Sequence, residues 1–185
     1  MGHLRRANDV RLIDGAAAVL ATANGRGIPV IVVTNQSGIG RGLFGWEDLI
    51  AVEERIEAEL AALGARLDAV LACPFHPDGQ APYRHPDHPA RKPNAGLLLR
   101  AAGAFALDLA SSWIIGDRAG DVGAGRAAGL AGGMHVATGW GSQPGEREAA
   151  RACAGNGYQV LEAASIAEAA DLLPLLGERA GGGER

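Results

Sequence analysis

Val30-Ile31-Val32-Val33 sets four β-branched residues in a row, a run that suits neither a surface helix nor a strand with one wet face. β-branched side chains lose χ1 freedom in a helix and pack well on a pleated surface. With no polar alternation, both faces of the strand need covering, and that is the situation of a parallel sheet with helices on each side. The apolar run from Ile28 to Val33 stops on Thr34-Asn35-Gln36-Ser37-Gly38, passing from sheet to polar loop in one step. Open α/β sheets bind their ligands just beyond this end of their strands.

The alternation of helix and strand continues along the chain. A helix is expected from Asp14 to Asn24, and a second from Trp46 to Leu63 with core-facing spacing at Leu49, Ile50, Ile56, Leu60 and Leu63. A strand near Leu67 to Cys73 leads into a long loop up to Arg91, and a helix from Asn94 to Phe105 follows. Strands are expected at Ser112 to Ile115, Met134 to Ala137 and Gln159 to Leu161, with a helix after Gly120. A last helix starts at Ser165, where Ser165 and Glu168 have capping-box spacing. The expected class is therefore α/β, a Rossmann-like parallel sheet with helices on both faces. One domain over residues 1–176 and a Gly-rich, flexible tail over 177–185 account for the whole length of 185 residues.

A net charge of -4 with scattered Arg residues gives no electrostatic footprint for nucleic acid. The apolar stretches are short or broken by charge, and the N-terminus lacks an apolar leader, so neither a membrane partner nor a secretory route is expected. Cys73 and Cys153 are far apart and form no disulfide framework. A reducing cytoplasm and a monomeric state are the expectation. One detail of composition matters more. Of the 17 basic side chains, Lys92 is the single Lys. It stands between Arg91 and Pro93, where a compact ammonium suits a tight phosphate site; chance placement is the alternative.

Three segments carry chemistry. The Thr34 hydroxyl and the backbone N–H groups after it are donors for phosphate oxygens, although Asn, Ser and Gly also make an ordinary turn. The segment Ser37 to Gly42 reads as a flexible loop carrying Arg41, a contact for a substrate's distal charge. Asp117 closes an apolar strand, where a carboxylate is a hard-oxygen ligand for Mg²⁺. Asp121, four residues on, either caps the following helix or supports the metal from behind. The loop from Cys73 through His76, His85 and His88 to Ala90 raises the question of zinc, but it lacks closely paired ligands and contains five prolines. It reads as a Pro-braced cover for the site.

The hydroxyl after a strand, the Arg91-Lys92-Pro93 step and Gly116-Asp117-Arg118-Ala119-Gly120-Asp121 resemble motifs two, three and four of the haloacid dehalogenase superfamily. Thr34 to Gly42 and Arg91 to Gly96 are most similar to the branch that holds heptose-bisphosphate phosphatases and histidinol phosphatases. The resemblance runs from about His3 to Leu176. It implies a haloacid dehalogenase-like fold without a large cap domain, and Mg²⁺-dependent hydrolysis of a small sugar phosphate, foremost D-glycero-D-manno-heptose 1,7-bisphosphate at its 7-phosphate. By that resemblance Thr34 and Asn35 hold the transferring phosphoryl group, and Lys92 neutralises its charge. Arg91 contacts substrate, and Asp117 ligates Mg²⁺. Histidinol phosphate is the alternative substrate.

Two departures from the pattern follow. The family's first motif is a strand ending in Asp-x-Asp, whose first carboxylate attacks phosphorus and whose second serves as acid and base. Here Gly2 to Val10 resembles the stretch just after that motif, and Asp9 and Asp14 follow no apolar strand. The first central strand is therefore expected to be missing. The chain as given is expected to be inactive, or to be a binding or regulatory domain, and to expose enough unpaired backbone to threaten folding. Phe75 and Ala90 occupy places where the branch has zinc ligands, so zinc is not expected. A nicotinamide-dependent oxidoreductase is disfavoured, since no Gly-x-Gly-x-x-Gly joins a strand to a helix.

Overall fold

The computed structural model describes residues 3–177. Five parallel strands alternate with helices: α1 Ala16–Gly25, β1 Ile31–Asn35, α2 Ser37–Gly40, α3 Trp46–Ala62, β2 Ala69–Cys73, α4 Gly96–Phe105 and β3 Trp113–Gly116. They continue with α5 Ala119–Ala128, β4 Gly132–Val136, α6 Glu146–Arg151, β5 Gln159–Ala163 and α7 Ala169–Leu172. The expected α/β class and all five strands are present. Among the described residues no helix is long and apolar enough to cross a membrane.

The strands do not form one ladder. β1 pairs with β2, and β3, β4 and β5 pair in that order. Parallel pairing turns alternate residues to opposite edges. The Val30 carbonyl and the Gln36 N–H bond toward β2, and the Ser112 carbonyl bonds toward Ala131 beside β4. Ile31, Val33 and Asn35, and likewise Trp113 and Ile115, therefore direct their backbone groups to an edge without a ladder. Side chains still join the two sheets. Ile28, Val30 and Ile115 pack on one cluster with Met134 and Val136, and Val33 packs on another with Ile114 and Val122. Contact between the sheets thus covers part of the apolar surface beside the unladdered edges.

Several local expectations change. β1 extends through Thr34 and Asn35, so these residues belong to the strand and not to the loop after it. Ser37–Gly40 is a helical turn with Gly38, Ile39 and Gly40 buried, which replaces the expected flexible loop. Ile50 and Leu63 are exposed, while Val52 is buried with Leu49 and Leu60. A stripe of 3.6-residue period fixes a face but not its flanks. The Ser165–Glu168 capping box is present, but the helix it opens begins as a 3₁₀ turn and is short. Apart from Gly177, the tail expected from residue 177 onward lies outside the described residues.

Candidate active site

The end of β1 is tied to the Lys92 loop by one side chain. Asn35 Nδ2 donates to the Lys92 carbonyl and Asn35 Oδ1 accepts the Lys92 N–H, both at 3.0 Å. Held this way, the Lys92 side chain turns back to the strand. Its ammonium donates to the Val33 carbonyl at 2.5 Å and pairs with Asp121 Oδ1 at 2.7 Å. Both side chains of that pair are 12% exposed, so each charge depends on the other for compensation. Lys92 thereby satisfies one acceptor on the unladdered edge of β1 and reaches across to the start of α5.

Asp121 has no oxygen to spare among these contacts. Its Oδ2 accepts the Arg118 N–H at 3.1 Å, the reciprocal bond of a capped helix start, while its Oδ1 holds Lys92. Gly116 makes this approach possible, since a Cβ there would lie 2.4 Å from the Asp121 Cβ. Asp117 Oδ2 accepts the Trp140 N–H at 2.7 Å. Gly139 precedes Trp140 at φ +62, and a Cβ at Gly139 would strike the same oxygen at 2.1 Å. The turn after β4 can wrap around Asp117 because that position has no side chain.

Thr34, Asn35, Arg41, Arg91, Lys92, Asp117 and Asp121 all line one cleft of about 710 Å³. Every site residue expected from the sequence is thus brought to the same place, at the C-terminal ends of β1 and β3. Their contacts differ from simple expectation. The Thr34 hydroxyl accepts from Gln36 Nε2 at 3.3 Å, Arg91 donates to the Phe75 carbonyl at 3.1 Å, and Arg41 lies 2.8 Å from His3 Nε2. Burial first, then the Arg41 charge, holds His3 below its ordinary pKa.

The cleft also holds His3, Ser37, Arg118, Trp140 and Glu146, which sequence reasoning did not single out. Trp140 follows the end of a third parallel strand, so the strand-end rule could have found it. Glu146 had no comparable signal. It accepts the Ala119 N–H and an Arg118 N–H, each at 2.7 Å. Burial pushes its carboxyl upward, but those bonds and the Arg118 charge outweigh that and hold it below the usual range.

The histidines of the covering loop are occupied with backbone. His76, His85 and His88 each precede proline, and the Nδ1 of each accepts the N–H two residues on, at 3.1, 3.2 and 3.1 Å. Proline has no N–H, so the next one is free to reach back to the ring. Phe75 stacks on His88 at 3.7 Å between centroids, and His85 meets His88 edge-on at 5.1 Å. Among the described residues no group of three or more His, Cys, Asp or Glu gathers as a metal site.

Residues 89–161 match the HAD-hydrolase-like family model. The chain is 53% identical over 117 residues to a D-glycero-beta-D-manno-heptose-1,7-bisphosphate 7-phosphatase of Mesorhizobium japonicum, covering 63% of this chain and 54% of that protein. It is 38% identical to the enzyme of the same name from Rhodopseudomonas palustris, over 66% of this chain and 68% of that one. The chain thus spans only about half to two thirds of these relatives. Among solved structures, a HAD-like phosphatase of Mesorhizobium loti superimposes with a TM-score of 0.80 at 39% identity, covering 98% of this chain and 82% of that one. The D,D-heptose 1,7-bisphosphate phosphatase of B. bronchiseptica, complexed with magnesium and phosphate, gives 0.74 at 28% identity, covering 91% and 87%. The parallel strands, the residues at their ends and this degree of identity converge on one conclusion: the chain belongs to the haloacid dehalogenase-like family, in the branch of the heptose-bisphosphate phosphatases.

Proposed function

We propose that this cleft binds the phosphoryl group of a small sugar phosphate, foremost the 7-phosphate of D-glycero-D-manno-heptose 1,7-bisphosphate, and serves Mg²⁺-dependent hydrolysis of that ester. The observation that carries this reading is the convergence of a nearly buried Lys92 ammonium, the Thr34 hydroxyl and the Asp117 carboxylate on one cleft. The relatives' names supply the substrate class. A cation and a hydroxyl held by the sheet are set to receive phosphate oxygens without reorganising, the main source of electrostatic catalysis in phosphoryl transfer.

The donors present suit Mg²⁺ as part of a site. Asp117 supplies one carboxylate, with Oδ1 outside the contact to Trp140. Asp121 is engaged by Lys92 and the Arg118 N–H. Mg²⁺ takes one or two carboxylates and completes its shell with phosphate oxygens and water. When bound, it would neutralise charge on the phosphoryl oxygens.

The covalent route needs a carboxylate nucleophile to form the new O–P bond as the ester P–O bond breaks, with a proton delivered to the departing sugar oxygen. The carboxylates lining the cleft among the described residues are Asp117, Asp121 and Glu146, and each accepts hydrogen bonds from the protein. The reading therefore includes a strand ending in Asp-x-Asp, placed along the unladdered edges of β1 and β3. The 185-residue chain alone is expected to bind the phosphate ester without turning it over, and a form extended by such a strand to hydrolyse it. Phosphate release from heptose 1,7-bisphosphate and from histidinol phosphate, with Mg²⁺, tests this. Preference of the extended form for the heptose ester supports the reading. Preference for histidinol phosphate would replace the substrate, and turnover by the unextended chain would show that the nucleophile is elsewhere.

A further inference from the structure

Arg118 side chains of this kind, 45% exposed, usually sweep a wide volume, and ordering one costs rotamer entropy. Here the guanidinium is held from two directions. Glu146 Oε1 accepts from one nitrogen at 2.7 Å, and the Trp140 ring lies against the guanidinium with its carbon 4.5 Å from the ring centroid. Both supports are themselves fixed. The other oxygen of Glu146 accepts the Ala119 N–H, and the Trp140 N–H donates to Asp117. Trp140 is therefore bonded by its backbone to the proposed metal ligand and by its ring to the cation next in sequence.

The cleft thus has cations at two depths. Lys92 is nearly buried at 12% exposure and is neutralised by Asp121, whereas Arg118 stands at the rim. Arg41 and Arg91 also line the cleft, but they bond to His3 and Ser37 and to the Phe75 carbonyl. A guanidinium has five N–H donors, and the contact to Glu146 leaves others free to meet an anion. A ligand with one phosphate at the inner cation and a second anionic group farther out would meet Arg118 already oriented, which lowers the cost of binding.

We infer that Trp140 is a positioning residue: its ring, with the Glu146 carboxylate, presents Arg118 to the second anionic group of a bisphosphorylated sugar. This rests on the proposed function, because it takes the inner site to hold the reacting phosphate. Side-chain variants isolate the ring, since the backbone N–H to Asp117 persists in all of them.

Calorimetric titration of the 185-residue chain with Mg²⁺ present, using heptose 1,7-bisphosphate and inorganic phosphate as separate probes, decides the matter. Trp140→Ala and Trp140→Leu should each weaken the bisphosphate by roughly tenfold, within the range of a partly desolvated cation–π contact, and leave inorganic phosphate unchanged. Trp140→Phe, which keeps a π face, should recover most of the loss. Equal loss for both probes would mark a merely structural role, and rescue by Leu as full as by Phe would show that bulk and not the π face matters. Either result overturns the inference, as does unchanged affinity in Trp140→Ala. Should the alanine variant fail to fold, the contrast between Phe and Leu still decides. Wild-type protein that binds neither probe would instead bring down the proposed function, and this inference with it.

Discussion

The two sheets of this domain differ in how completely they are covered. β4 has a hydrogen-bonded neighbour on each side and is buried at all five of its positions. β1 has one neighbour, and none of its five positions is fully buried. β3 likewise has a single partner. Yet Thr34 and Asn35 come from β1 and Asp117 from the end of β3, two of the four strands that have a single partner. Lys92 and Asp121 then pair across the boundary between the sheets. The proposed chemistry thus falls at a seam, which the Lys92–Asp121 ion pair and side-chain packing hold instead of a ladder.

The largest expected effects are catalytic. In the strand-extended form, Lys92→Ala and Asp117→Asn should each reduce turnover by about a hundredfold or more, the scale of losing a major electrostatic contact in a preorganised site. Thr34→Ala should cost less, because backbone donors beside it persist. Steady-state rates check all three, and a wild-type rate for Lys92→Ala would remove the seam from the mechanism.

Stability effects come next. Asp121→Ala leaves the Lys92 ammonium nearly buried without its counter-charge and also removes the acceptor for the Arg118 N–H. A loss of about 3 kcal/mol is expected, as for other buried pairs broken on one side. Chemical denaturation measures it, and a change near zero would mean that the seam is wet. Addition of the strand should raise the denaturation midpoint, since each buried backbone group left unpaired costs about 1–3 kcal/mol.

A smaller effect separates the covering loop from the seam. Burial first, then Arg91 and Arg41, holds His76 below the ordinary value of 6.5 despite the opposing Asp78, and burial followed by His85 does the same for His88. Their neutral rings accept backbone N–H groups at Nδ1. A group whose folded pKa is lowered contributes stability that is fully present above its unfolded pKa and is lost as pH falls through the folded value. Melting temperature should therefore fall as pH drops below 6.5, and His88→Asn, which keeps a short acceptor that does not titrate, should flatten that slope. An unchanged slope would show that the stacked loop is not the titrating unit. The smallest expectation is that protein purified without a metal-binding tag carries substoichiometric zinc by elemental analysis, because the loop histidines are committed to backbone; a full equivalent lost on mutating Cys73 would contradict it.

What the sequence made legible was whatever lies close together along the chain. Four β-branched residues before Thr34, and an apolar strand before Asp117, announced both their elements and the end at which ligands bind. The pair of hydrogen bonds between Asn35 and the Lys92 backbone spans 57 positions, and no local pattern encodes it. Glu146 reaches Arg118 over 28 positions from a six-residue helix that carries no strong periodic signal. The three His-Pro steps were visible, but histidine beside cysteine suggested metal chemistry first. Their use as turn acceptors follows from proline's missing N–H, a simpler cause that needs no ligand. Ile50 and Leu63 show the limit of periodicity, since which flank of a helical stripe is covered depends on a neighbour that the stripe does not specify.

Amide hydrogen exchange, residue by residue, on the chain with and without the appended Asp-x-Asp strand tests the seam most directly. Backbone alternation assigns Ile31, Val33, Trp113 and Ile115 to the unladdered edges, and Val32, Thr34 and Ile114 to existing ladders. The account predicts that the first set gains protection when the strand is added, while the second set and β4 keep the protection they have. Gains spread evenly over both sets, or an edge set already as protected as β4 in the unextended chain, would contradict the claim that the two sheets are halves of one sheet meeting at the phosphate site.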